Sequence, residues 1–260
     1  MIKVITILTT ITMSGPVTYA GMGQIIASWQ GPGPYNRVNG IAFEGEYIWL
    51  NNEAGERKGV FKCTKTGSVI KEIGFPYHGW GPAYALAFDG VYLWTIFHQP
   101  VGTNKYDHYV KYTTAGSEAG AFVAHSEILY WSSVSVSWDG QYLWTDERPK
   151  GVDKKAGKYT TAGTLVGTFA VPQVWRTDAA YYNNQLWTGG LDNYVYGMNI
   201  GGSTFVASFA APGGSCAAVG FDGGYLWTAD RNKPQYIYKV DIEVVGVAPA
   251  SVGKVKALYR

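Results

Sequence analysis

Four carboxylates and a few loop aromatics are the residues of this chain whose types could do chemistry, and they point in different directions. Hydrolysis or group transfer needs paired carboxyls, or a nucleophile with its base in reach. Asp146, Glu147, Asp178 and Asp230 supply carboxyls, but from separate stretches that no spacing rule connects, so no catalytic residue is assigned. The histidines His78, His98, His108 and His125 are scattered, and neither an Asp-rich calcium ladder nor a phosphate loop is present, so neither metal nor cofactor is expected. Trp80, Trp131 and Trp175 suggest a different use. A flat apolar ring beside hydrogen-bonding groups suits a sugar or a peptide segment. The companions would be His78, His98, Asp146, Glu147, Arg176, Asp178, Asp230 and Arg231. The other reading of the three rings is that they fold down onto the body of the protein.

What must position these residues is a repeat. Phe221-Asp-Gly-Gly-Tyr-Leu-Trp-Thr228 has four earlier counterparts: Phe43-Glu-Gly-Glu-Tyr-Ile-Trp-Leu50, Phe88-Asp-Gly-Val-Tyr-Leu-Trp-Thr95, Trp138-Asp-Gly-Gln-Tyr-Leu-Trp-Thr145 and Tyr182-Asn-Asn-Gln-Leu-Trp-Thr188. Each is an apolar run, a turn and a second run, and Asp-Gly or Asn-Asn at the turn predicts a hairpin closed by a type I′ turn. The repeated Trp residues fall at 49, 94, 144, 187 and 227. That period predicts an all-β chain, a five-bladed β-propeller of four-stranded antiparallel blades. The five Trp residues are read as core between blades, because a fixed place in every unit is a packing place.

Blade one runs from about Val38 to Phe75, blade two from Tyr84 to Val123, blade three from Val134 to Val171 and blade four from Thr177 to Ala210. The last blade stops one strand short after Tyr236–Ile242. Gln24–Trp29 resembles the outermost strands elsewhere, so it is expected to pair there and close the ring, removing two open sheet edges. The third-to-fourth-strand turns, such as Thr113-Thr-Ala-Gly116 and Thr160-Thr-Ala-Gly163, are uniform. On the opposite face the loops vary: Asn51–Lys58, Phe97–His108, Asp146–Gly157, Asp230–Gln235 and the blade connections Pro76–Pro82, His125–Trp131 and Gln173–Asp178. Insertions gathered on one side of a repeat protein mark its binding face.

Residues 1–20 read as a signal peptide: Lys3, an apolar run from Val4 to Met13, a break at Gly15-Pro16 and small residues at Thr18 and Ala20. The propeller then occupies 21–243, and 244–260 is a C-terminal tail. Its alternating Val255, Ala257 and Tyr259 form a strand that a neighbouring copy could accept. The net charge of +2 argues against a nucleic-acid partner, and no transmembrane segment is expected. With two cysteines the chain is no disulfide scaffold, and Cys63 and Cys216 fall on strands expected to be radially apart.

The Asp-Gly-x-Tyr-Leu-Trp-Thr unit, followed by a Tyr-x-Tyr or Tyr-x-Lys strand and a Gly-containing turn, resembles the blades of bacterial secreted propellers. It is similar to the NHL, SMP-30 and glutamine cyclotransferase-like groups. The resemblance covers all five units and implies a ring of blades around a channel. Cyclotransferase-like relatives would imply carboxylates near that channel, but no residue here takes a role from them. In blade count and repeat length the chain is also similar to tachylectin-type sugar-binding propellers. The expectation for function is an exported, non-enzymatic structural or interaction protein, secreted or at the cell surface, that assembles with copies of itself or meets cell-surface components. A lectin-like module for glycans or peptides is the alternative, and a secreted hydrolase or transferase the third reading.

Overall fold

The structure, a computed structural model, describes residues 22–32, 37–52, 59–75, 83–101, 104–128, 134–147, 155–171, 177–190, 192–201 and 205–242. They form five four-stranded antiparallel sheets. Blade one contains β2 (Val38–Glu44), β3 (Tyr47–Asn52), β4 (Gly59–Thr64) and β5 (Val69–Gly74), with β1 (Gln24–Gln30) preceding it in the chain. Blade two contains β6 (Tyr84–Phe88), β7 (Tyr92–Val101), β8 (Asn104–Thr113) and β9 (Glu118–Ile128). Blade three is β10 (Val136–Trp138), β11 (Leu143–Glu147), β12 (Lys155–Tyr159) and β13 (Leu165–Ala170). Blade four is β14 (Ala179–Tyr182), β15 (Gln185–Gly189), β16 (Tyr194–Asn199) and β17 (Phe205–Ala210). Blade five has β18 (Ala218–Phe221), β19 (Leu226–Ala229) and β20 (Tyr236–Asp241), and takes β1 as its fourth strand. The first strands β2, β6, β10, β14 and β18 touch in sequence and return to β2, so the ring is closed.

Closure is antiparallel, from Gln24 opposite Asp241 to Gln30 opposite Tyr236, as the short last blade requires. A second clasp lies on the channel side. The buried amide of Gln235 accepts from the Val38 N–H at 2.6 Å and donates to the Val38 carbonyl at 3.2 Å, which joins blade five to blade one across 197 residues of chain. Cys63 lies on β4 and Cys216 just before β18; both are free and buried, and burial pushes their thiols up to about 12 and about 11.

Burying one Trp per blade removes roughly 150–250 Å² of ring surface from water each time, but it also removes an indole N–H that needs a partner. The acid at the turn provides one. Trp49 Nε1 donates to Glu44 at 2.8 Å, Trp94 to Asp89 at 2.7 Å, Trp144 to Asp139 at 2.7 Å and Trp227 to Asp222 at 3.0 Å. In the Asp-Gly hairpins the same carboxylate also accepts backbone N–H groups of the turn, as Asp139 does from Gln141 and Tyr142. This corrects the turn type expected for these three hairpins. The loops enclosed by Phe88–Leu93, Trp138–Leu143 and Phe221–Leu226 are four residues long, and only glycines (Gly90, Gly140 and Gly223) have positive φ. A side chain that bonds its own turn outcompetes the two-residue I′ geometry. Both central residues have positive φ only in blade four, at Asn183 and Asn184.

Opposite each of the four acid-bonded Trp residues, the third strand places a lysine: Lys62, Lys111, Lys158 and Lys239. Its ammonium lies over the repeat Tyr and Trp, 4.1 and 5.0 Å from the ring centres for Lys158 and 3.8 and 5.8 Å for Lys239. Blade four breaks the set as a unit. Tyr182 stands where the acid would be and Gly197 where the lysine would be; among the described residues the Trp187 indole N–H has no partner. A Cβ on Gly197 would come within 2.9 Å of the Trp187 ring, so that ring occupies the lysine's space. Asp139→Ala should therefore lower the unfolding free energy by about 2 kcal/mol, because it strands an indole and two turn N–H groups. Urea denaturation measures this, and a cost below about 0.5 kcal/mol would mean that the carboxylate does not hold the hairpin.

Candidate functional site: the channel mouth

Because each blade begins at the same face, the residues at or just before its first strand ring one opening. Asn39, Tyr84, Val134, Asp178 and Ala217, one from each blade, line a cavity of about 410 Å³ there. Arg37, ahead of β2, and Arg231, Lys233 and Gln235, in the loop joining β19 to β20, complete the wall on the side where blades five and one meet. This is the face of variable loops. The size is that of a small-ligand site. At the other end of the first strands a smaller space of about 100 Å³ is bordered by Phe43, Phe88, Trp138, Tyr181 and Phe221, one aromatic from each blade.

Asp178 stands between the two. It lines the mouth, while the N–H groups that it accepts from, Ala179 at 2.9 Å and Ile41 at 3.4 Å, belong to residues lining the smaller space. The Val136 N–H bonds it as well, so one carboxyl draws together the inner strands of blades four, one and three. Burial pushes it well above the usual carboxylate value; the three backbone N–H groups oppose that and the nearby Asp146 adds to it. Asp146 Oδ1 accepts from the Val134 and Ser135 N–H groups at 2.7 and 2.9 Å and from the Ser135 hydroxyl at 3.0 Å, which pins the start of β10.

The other sequence-selected residues lie as follows. Asp230 is buried under the β19–β20 loop, where it accepts from the Tyr236 N–H at 3.0 Å and the Tyr238 hydroxyl at 3.0 Å. Arg231 is at the mouth, held by its N–H to Ser215 Oγ at 2.9 Å and by its Nε–H to the Cys216 carbonyl at 3.2 Å. His98 is on β7, bonded to Asp107 at 2.8 Å and packed at a tilt of 35° against Tyr84 with ring centres 4.3 Å apart, so it buttresses one wall of the cavity. The stretch Phe97–His108, expected as a loop, continues the hairpin instead: β7 and β8 pair as far as Val101 and Asn104. Its alternation of His, Gln, Tyr and Asp conceals the strand, because both faces carry polar atoms that find partners across it, as His108 does with Gln99 at 2.8 Å. His78, Trp80, Trp131, Trp175 and Arg176 lie outside the described residues, as do the leader and the tail with Val255, Ala257 and Tyr259.

Arg37, Asn39, Tyr84, Lys233 and Gln235 were not singled out from the sequence. The available signal was their position: each lies at the opening of a repeat or in a variable loop. Among the described residues there is no group of three or more His, Cys, Asp or Glu able to hold a metal ion, and no helix long and apolar enough to cross a membrane.

No protein-family model matches the chain, and no curated protein matches it in sequence. Solved structures do. The chain is similar to glutaminyl cyclase from Myxococcus xanthus, with a TM-score of 0.60 at 13% identity over 89% of this chain and 100% of that one. It is also similar to the PQQ-bound aldose sugar dehydrogenase from Streptomyces coelicolor, with a TM-score of 0.54 at 11% identity over 87% of this chain and 100% of that one. The likeness is one of fold.

The raised Asp178 sets a pH dependence. A carboxyl that holds its proton more tightly when folded stabilises the fold fully below its unfolded pKa, and that stability is lost as pH rises from about 3.8 through the folded value. Asp178→Asn should flatten the melting-temperature profile over that range. A profile parallel to the parent's would show that Asp178 ionises as readily as it does in the unfolded chain.

Proposed function

We propose that the chain is an exported, non-enzymatic β-propeller that acts by binding, a lectin-like module taking a small saccharide at the channel mouth. The observation that carries this is the cavity of about 410 Å³ on the loop-rich face, to which every blade contributes. Its wall combines an aromatic ring, Tyr84, with polar and charged groups, the mixture that suits a sugar's apolar face and hydroxyl edge. The two fold neighbours are named for enzymatic activities, and an enzymatic reading would use Asp178 and Asp146. Against it, both carboxyls are engaged by backbone N–H groups that hold strands in place. A leader ending at Ala20 supports export to the outside of the cell or its surface. Purified protein should bind a subset of saccharides on a glycan array, and Tyr84→Ala should lose that binding while keeping its far-UV circular dichroism. No binding across a broad array would count against the reading.

A second reading is supported by the strand count. Blade five is already complete with β18, β19, β20 and β1, so the residues after Asp241 are not needed for its four strands. The tail carrying Val255, Ala257 and Tyr259 is then free to add a strand to another copy, a head-to-tail contact that propagates. Removing Pro249–Arg260 should leave the melting temperature within about 2 °C, no more than about 1 kcal/mol gives in a domain of this size, and convert assemblies to monomers in sedimentation velocity. Identical sedimentation of both forms would dismiss it.

A further inference from the structure

We infer that the saccharide taken at the channel mouth is an acidic one, bound through a carboxylate that Arg37, Arg231 and Lys233 receive; this rests on the binding reading above. The first observation is the distribution of charge around the opening. Among the described residues its three basic groups all come from the arc where blades five and one meet, and the opposite arc presents Tyr84 and Val134. Such a mouth is polarised: one side suits an anion, the other a ring. Among the described residues none of the three cations is in an ion pair, although three lysines pair with carboxylates elsewhere.

The second observation is that one of these cations is held in place before any ligand arrives. Arg231 is tied by its own N–H to Ser215 and by its Nε–H to the Cys216 carbonyl, which leaves the two terminal nitrogens of the guanidinium as donors. A guanidinium fixed in this way loses little freedom on meeting a carboxylate, and its fork matches the two oxygens. The loop beneath is itself tied down, since Asp230 accepts from Asn232 and Tyr236, and Gln235 bonds Val38. A surface arginine needed only for solubility requires none of this.

Asp178, also on the cavity wall, does not oppose an anion. Its oxygens are turned to the N–H groups of Ala179 and Ile41, and burial favours its uncharged form. Among the described residues lining the mouth three are cations and one, Asp178, is an acid, so attraction to an acidic ligand should weaken with salt over the range where screening sets in, around 0.1 M.

The test is calorimetric titration of the full chain with a galacturonate trisaccharide, its methyl ester and citrate. The prediction is that the acid binds about ten- to a hundredfold more tightly than the ester, the range expected for charge-assisted bonds to one carboxylate. Raising salt from 0.05 to 0.5 M should close most of that gap, and Arg231→Gln should close it while leaving the ester's affinity within about threefold. If ester and acid bind alike, the charge assignment is wrong and the lectin reading survives. If citrate competes as well as the trisaccharide acid, the site reads charge alone and the saccharide is wrong. If no sugar binds, this inference falls, and binding or silence on the glycan array decides whether the lectin reading falls with it. Arg37→Gln provides an independent second variant should Arg231→Gln disturb its loop.

Discussion

Burying an indole between blades without a partner for its N–H costs free energy, and this chain avoids that cost four times with the same device. The acid that shapes the hairpin turn also accepts from the Trp five residues on, and the lysine across the strand lies over the ring. One carboxylate thereby links local geometry to packing. In the three Asp-Gly hairpins it bonds backbone N–H groups that would otherwise favour another turn, and in all four it makes burial of the largest side chain in the unit tolerable. In blades one and three its charge is balanced by the lysine that also covers the ring, Lys62 at 2.8 Å from Glu44 and Lys158 at 3.7 Å from Asp139. At Asp222 the balance is visible directly: burial raises its pKa, but the N–H groups of Tyr225 and Gly224, the Trp227 indole and Lys65 of blade one together hold it below the ordinary value.

Blade four shows that the members of this set depend on one another. With no acid at the turn and no lysine on the third strand, the ring of Trp187 lies over Gly197, and Tyr182 stacks instead on Phe221 of blade five, with centres 4.4 Å apart. Stacking across the seam replaces bonding within the hairpin. The five equivalent units of the sequence are thus four of one kind and one that leans on its neighbour.

Most of the scaffold was legible because its signals are local. Asp-Gly before Tyr-Leu-Trp repeats within a few residues, and the missing outer strand of the last blade could be inferred by counting. The turn type was misjudged, since a φ-based rule does not see a carboxylate bonding its own loop. The mouth was far less legible. Arg37 and Lys233 lie near opposite ends of the chain and become neighbours only when β1 joins β20. The polar end of the blade-two hairpin looked like a loop because its strand character comes from cross-strand pairs such as His98 with Asp107. Spacing arguments reach neither case: the first proximity is created by ring closure, the second by pairing across a hairpin whose alternation is polar on both faces.

The loop between β19 and β20 has two duties. It offers Arg231 and Lys233 to the cavity, and two residues further on it supplies Gln235, whose amide fastens the last blade to the first. Occupancy and integrity of the circle are therefore thermodynamically linked. Any guest that steadies this loop also tightens the clasp, so the disc becomes harder to prise apart when loaded, and resistance to heat or protease doubles as a gauge of what it carries.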